Sequence, residues 1–238
     1  WHASEDDDLA EADHVGWPGP SGVDRLRAPF ECERRMLSHA PVPGAVAPIV
    51  AHVIATLAPG PRRVELETLL RPAGATFGDW TARLLAHVLG AHGIVLVEPA
   101  TLRSAGSVVV EHELRRPGAL HETIVRAEEV VRAAGHAPPL ELRRAELFFV
   151  LDPVTGTRRR VRHAGDGQLE IAAGAGAPVE RVARDALLAR LRDEPGSFGW
   201  NVAARVLAQD AALPVAAQVC GPAELGYVAL LREAHAVL

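Results

Sequence analysis

Residues 201–227 read NVAARVLAQDAALPVAAQVCGPAELGY. Asn201, Arg205 and Gln209 recur at every fourth position, a spacing that stacks an amide, a guanidinium and a second amide along one helix face. An apolar run, residues 213–219, follows, then Gly221-Pro222 and a second helical pattern bearing Glu224 and Tyr227. The order predicts a helix, then a strand entering another helix through a tight turn. In open α/β sheets, such turns at strand carboxyl ends are where ligands bind. Arg205 can form a bidentate pair with a carboxylate; its plain alternative is an ion pair with Asp210 or Glu224. Asn201 and Gln209 can orient the same ligand or simply cap and solvate the helix. Gly221-Pro222 with Glu224 is also ordinary helix-start chemistry. A helix start can bind an anion as well, with Tyr227 one turn on as a donor.

Outward from that stretch, helix and strand patterns alternate. Residues 45–57 read as a helix closed by Pro59-Gly60. Residues 64–70 are an apolar run of open type. Residues 77–89 have helical spacing, with Trp80, Leu84, Leu85 and Val88 on one face. Residues 94–97 are four consecutive apolar residues, the pattern of a strand buried on both faces of a parallel sheet. Residues 119–134 read as an exposed amphipathic helix. Residues 142–151 and 157–163 form a hairpin around the turn Asp152-Pro153-Val154-Thr155-Gly156. Residues 168–172 add a third strand, residues 179–192 a helix, and residues 11–43 mostly loop with one short helix near 31–38. Helix-strand units at both ends flank a hairpin-bearing middle. This predicts an α/β fold: a Rossmann-like parallel-sheet core (1–110 and 196–238), interrupted by an inserted α+β connecting region (111–195) with a helix and a β-hairpin.

Composition narrows the functional classes. The chain has 238 residues, 48% hydrophobic and 23% charged, enough for one sizeable core or a core with an insertion. Its net charge of -5 argues against a generic nucleic-acid binder, which would be basic. No apolar run approaches a membrane span, and no signal-peptide pattern is present. Cys32 and Cys220 are too few for a disulfide or zinc framework, so reduced cytoplasm is the expected compartment. All 25 basic residues are Arg. Codon bias explains that most simply, yet it excludes a Lys Schiff base or a Walker lysine within this chain. No dinucleotide, Walker, zinc or Gly-x-Ser-x-Gly motif occurs.

Glu5, Asp6, Asp7 and Asp8 form a dense acidic cluster. Carboxylates this close spread their pKa values, which can leave one as a general base. They can also bind Mg²⁺ through oxygen. The plain alternative is a solvated acidic segment.

Taken together, these residues resemble the bacillithiol biosynthesis cysteine-adding enzymes. That family has Asn, Arg, Gln-Asp or Gln-Glu, a Pro before an apolar strand, then Gly-x-Glu and an aromatic-bearing helix. Trp1 to Asp8, with Glu11 and His14, resembles its Trp-x-x-x-Glu-Asp-His-Asp segment. Thr76-Phe77-Gly78-Asp79-Trp80 through Glu98 resembles its helix-strand unit, and Glu146-Leu147-Phe148-Phe149 with Arg158-Arg159 its middle hairpin. The matches keep family order over nearly the whole chain. Three positions depart: Asp7 replaces the motif His, Gly199-Trp200 a Ser-Pro, and Val206 a Pro. An upstream Gly-Gln-Gln segment and a C-terminal coiled coil are unmatched, so a fragment or short form is expected.

The resemblance implies a cytoplasmic ligase adding cysteine to the amine of glucosaminyl malate. Its small-molecule partners would be cysteine and glucosaminyl malate. Glu5, Asp6 and Asp8 become the catalytic candidates. Asn201, Arg205, Gln209, Asp210, Gly221, Glu224 and Tyr227 become the substrate-binding candidates. No metal site is assigned; the cofactor is open, with ATP and Mg²⁺ as candidates, and so is the oligomeric state. The alternative is a degenerate, non-catalytic domain that binds a ligand or partner, because His is the usual proton-transfer group near neutral pH and the motif lacks it.

Overall fold

The computed structural model describes residue 5 and residues 13–19, 22–28, 35–72, 76–138, 147–152, 154–174 and 177–238. The chain divides into two compact units: Trp1–Pro99 with Val154–Thr157, and Ala100–Pro153 with Arg158–Leu238.

In the first unit, β1 (His14–Gly19) and β2 (Gly22–Arg27) form an antiparallel hairpin, with His14 opposite Arg27. Three helices follow: α1 (Val46–Thr56), α2 (Pro61–Leu70) and α3 (Phe77–Leu89). Helix α3 starts where Thr76 and Asp79 form a capping box. The Asp79 amide donates to Thr76 Oγ1 at 3.1 Å, and the Thr76 amide donates to Asp79 Oδ2 at 3.4 Å. Phe77, Trp80 and Leu84 of α3 then pack with Ala28, Leu37, Ala40 and Val46 in one core, whereas Leu85 and Val88, expected on the same face, are exposed. Gly78 allows close backbone approach, since a Cβ there would lie 3.2 Å from Leu37 O. Gly93, at φ 74, ends the short 3₁₀ turn after α3.

The second unit is built on a five-stranded antiparallel sheet, in the order β6-β5-β4-β3-β7. Its strands are β3 (Phe148–Leu151), β4 (Arg158–Gly165), β5 (Gln168–Ile171), β6 (Glu180–Ala183) and β7 (Phe198–Trp200). Asp166-Gly167, both at positive φ, turn β4 into β5. Its helices are α4 (Pro99–Arg115, all but its first residue in this unit), α5 (Ala119–Ala133), α6 (Arg184–Asp193), α7 (Val202–Ala212), α8 (Pro222–Ala229) and α9 (Arg232–Val237). One sheet face buries Phe148, Val150, Val161, Ile171 and Trp200. Gly106 of α4 permits that packing: a Cβ there would come within 2.6 Å of the Trp200 ring.

The fold is mixed α/β, as expected, with helices at 46–56, 77–89 and 119–133 and the 148–165 hairpin where the sequence predicted them. Several elements differ. Residues 94–97 have no regular secondary structure and join no ladder, and Ile94 and Val95 are 51% and 77% exposed. Residues 213–219 are likewise irregular, with bends at Leu213 and Ala216, and Val219 is fully exposed. Pro214 removes a ladder donor there. An apolar run specifies a strand only where a partner strand lies alongside, and every ladder among the described residues is antiparallel and lies elsewhere. The helix expected over 179–192 splits into β6 and α6, because residues 180–183 pair with β5 before the helix starts. Residues 14–19 and 22–27, expected as loop, pair as antiparallel strands despite Pro18, which a two-stranded edge tolerates. Part of the helix expected near 31–38, and residues 142–146 of the expected hairpin strand, fall outside the described residues; 37–39 form a turn.

Candidate functional site

Asn201 stands at the N-cap of α7. Its Oδ1 accepts from the amides of Ala203 at 3.0 Å and Ala204 at 2.8 Å, satisfying two donors the helix cannot pair internally. One turn on, Arg205 reaches across to α8 and donates from Nη2 to the Tyr227 hydroxyl at 3.2 Å. Tyr227 is buried, 8% exposed. Burial pushes its hydroxyl pKa upward, partly opposed by the Arg205 guanidinium and reinforced by Glu224. Glu224 itself closes the start of α8, accepting from the Gly221 amide at 2.9 Å, with Pro222 at the first helical position. Asp210 lies in the last turn of α7, its Oδ2 3.5 Å from His235 Nε2 on α9. Its Oδ1 is buried with no hydrogen-bond partner among the described residues.

The structure thus brings together Arg205 and Tyr227, and places Asn201, Gln209, Asp210, Gly221 and Glu224 on the same two helices and their starts. Arg205 bonds neither Asp210 nor Glu224; its side chain goes to Tyr227. A half-buried guanidinium that, among the described residues, is held by one neutral hydroxyl keeps further donors for an anion, and a carboxylate matches their fork geometry. Asn201 and Glu224 have their oxygens engaged by helix starts. Sequence reasoning missed His235, which sits 25 positions from its partner Asp210 and leaves no local signal.

The acidic candidates lie in the other unit. Glu5 is half-buried in a turn; Asp6 and Asp8 lie outside the described residues. Among the described residues, no three His, Cys, Asp or Glu side chains converge to hold a metal ion. The same unit contains a cavity of about 490 Å³, lined mostly by apolar side chains such as Val46, Ile49, Leu66, Trp80 and Leu84. Asp13 lies at its edge, its carboxyl held below the ordinary range by Arg27 Nε at 2.6 Å against the opposing effect of burial. Such a lining suits apolar groups rather than a sugar dicarboxylate. No helix among the described residues is long and apolar enough to cross a membrane.

The whole chain, residues 1–238, matches the family model described as "Bacillithiol biosynthesis BshC, N-terminal Rossmann-like domain". Three curated relatives share the name "Putative cysteine ligase BshC". That of Koribacter versatilis is 28% identical over 247 residues, covering 96% of this chain and 42% of the relative. That of Lysinibacillus sphaericus is 28% identical over 249 residues, covering 100% and 44%. That of Thermus thermophilus is 29% identical over 241 residues, covering 99% and 46%. The chain therefore spans less than half the length of these relatives and belongs, as its N-terminal Rossmann-like domain, to the bacillithiol biosynthesis BshC family.

Proposed function

We propose that this chain is part of a cytoplasmic ligase that joins the carboxyl of cysteine to the amine of glucosaminyl malate through an activated acyl group. The observation that carries the reading is the family match along the whole chain, to relatives bearing the cysteine ligase name. The local geometry supports it: Arg205, supported by Tyr227, offers guanidinium donors to a malate carboxylate. Asn201, Gln209, Asp210, Gly221 and Glu224 frame that position. Glu5, Asp6 and Asp8 supply the carboxylates for amine deprotonation or for holding Mg²⁺, and ATP is the candidate activator. In this reading residues 1–110 and 196–238 act as the core and 111–195 as a connecting insertion.

Calorimetric titration with glucosaminyl malate tests the reading. The wild-type chain is expected to bind, and Arg205→Ala to weaken binding at least tenfold while remaining folded, because a charge-assisted bidentate contact is worth roughly 1.5–3 kcal/mol. Equal binding by the variant would sink the assignment of Arg205.

A second reading, a non-catalytic domain that binds a ligand or partner, is favoured by Asp7 at the position of the motif His. Asp7→His tests the pair: new ligase activity supports a decayed enzyme, and no change in a well-folded chain weakens any catalytic role for that position.

A further inference from the structure

Glu113, near the end of α4, is 1% exposed. Its Oε1 accepts from the Gly118 amide at 2.7 Å and so fastens the turn between α4 and α5, where Gly118 sits at φ 83. Its Oε2 is buried without a hydrogen-bond partner among the described residues. From the sheet, His163 Nε2 on β4 approaches Oε1 to 4.0 Å.

We propose that Glu113 is a proton-operated latch: with the carboxyl protonated, the α4–α5 turn is held closed onto the end of α4, and loss of the proton loosens it. A buried carboxylate needs a counter-charge, and the surrounding groups among the described residues do not provide one. Glu122, in the first turn of α5, adds like charge. His163 is held neutral near pH 7, because burial and then Arg184, at the start of α6, lower its pKa. On the α4 side, the pKa of His112 is lowered by burial and by Arg116. The amides of Gly118 and Leu120 favour the charged form but do not outweigh burial, and the Glu113 pKa stands raised to about 7 from 4.5. The folded chain therefore retains a proton that the unfolded chain has released. This contribution to stability is complete below about pH 4.5, declines as pH rises, and is gone above about pH 7.

Denaturant unfolding of the chain and of Glu113→Gln at pH 5, 6, 7 and 8 tests the latch. Glutamine keeps the oxygen that accepts from Gly118 but cannot titrate. The ratio of the two unfolding constants is expected to shift on the order of a hundredfold between pH 5 and pH 8, with the wild type losing ground as pH rises. A ratio constant across that range overturns the proposal. Should the variant not fold, a carboxyl-carbon NMR titration of the wild type decides: a Glu113 midpoint near neutrality supports the latch, and a midpoint in the ordinary glutamate range overturns it.

Discussion

Thr76 at the start of α3 and Asn201 at the start of α7 perform the same task in the two units, each accepting from amides that the helix leaves unpaired. One turn later the helices diverge. Trp80 of α3 goes into an apolar core, its ring N–H donating to Leu70 O at 3.2 Å. Arg205 of α7 instead meets the hydroxyl of a second helix. A polar residue closing its own helix start is explained by the helix. A charged residue whose bond reaches another element, with donors to spare, has room for a further partner. On the proposed reading, that puts Arg205 and Tyr227 at the centre of 201–227.

Two helical glycines, one in each unit, differ in how tightly they are needed, and a large mutational effect is expected at the tighter one. Gly78 and Gly106 both lie in helices, where alanine is intrinsically better by about 1 kcal/mol. A Cβ at Gly78 meets backbone atoms at 3.2 Å; one at Gly106 comes within 2.6 Å of the buried Trp200 ring and 3.0 Å of Ala208 Cβ. Gly106→Ala is expected to destabilise by about 2 kcal/mol, the scale of overpacking in a filled core. Gly78→Ala should cost clearly less. Thermal unfolding of both variants measures the difference. If Gly106→Ala were as stable as the wild type, α4 would not be seated against the sheet as described.

Much of this was legible in the sequence, and the failures share a cause. Phe77–Leu89 was readable because everything that specifies it is local: Thr76 and Asp79 at the start, an apolar stripe along one side, and glycine just beyond the end. The β3–β4 hairpin was readable because strand-like runs flank good turn chemistry. The apolar content of residues 94–97 and 213–219 points to strands by itself, but a strand is a property of two segments. Helix α4 has no local signature, because Gly106 and the β-branched run Val108-Val109-Val110 argue locally against a helix that tertiary packing supports. At the candidate site the helix starts were legible from Asn201 and Gly-Pro. The Arg205–Tyr227 bond and the Asp210–His235 pair were not, since each joins residues far apart in sequence.

The matched caps give a finer test. Thr76→Ala and Asn201→Ala should each cost about 1 kcal/mol. Asn201→Asp keeps an oxygen in place and should retain the stability of the wild type, as measured by denaturant unfolding. The same variant replaces the amide nitrogen, so titration with glucosaminyl malate separates cap from ligand. Unchanged affinity makes Asn201 a cap for the ligand's purposes, whereas a marked loss shows that the ligand senses the added charge or the lost amide at this position.

An effect of similar size is expected at the contact that distinguishes α7. Tyr227→Phe removes only the hydroxyl that accepts from Arg205. The buried ring still packs, so the loss in stability should be about 1 kcal/mol, the net worth of one hydrogen bond. Arg205 then keeps its charge but loses the group that aims it. If it holds a carboxylate, the affinity of Tyr227→Phe should fall severalfold and remain above that of Arg205→Ala, because a misdirected guanidinium still attracts an anion while an absent one does not. Affinity equal to the wild type would mean that Tyr227 steadies the helix pair without orienting Arg205, and the contrast between α3 and α7 would narrow to a single side chain.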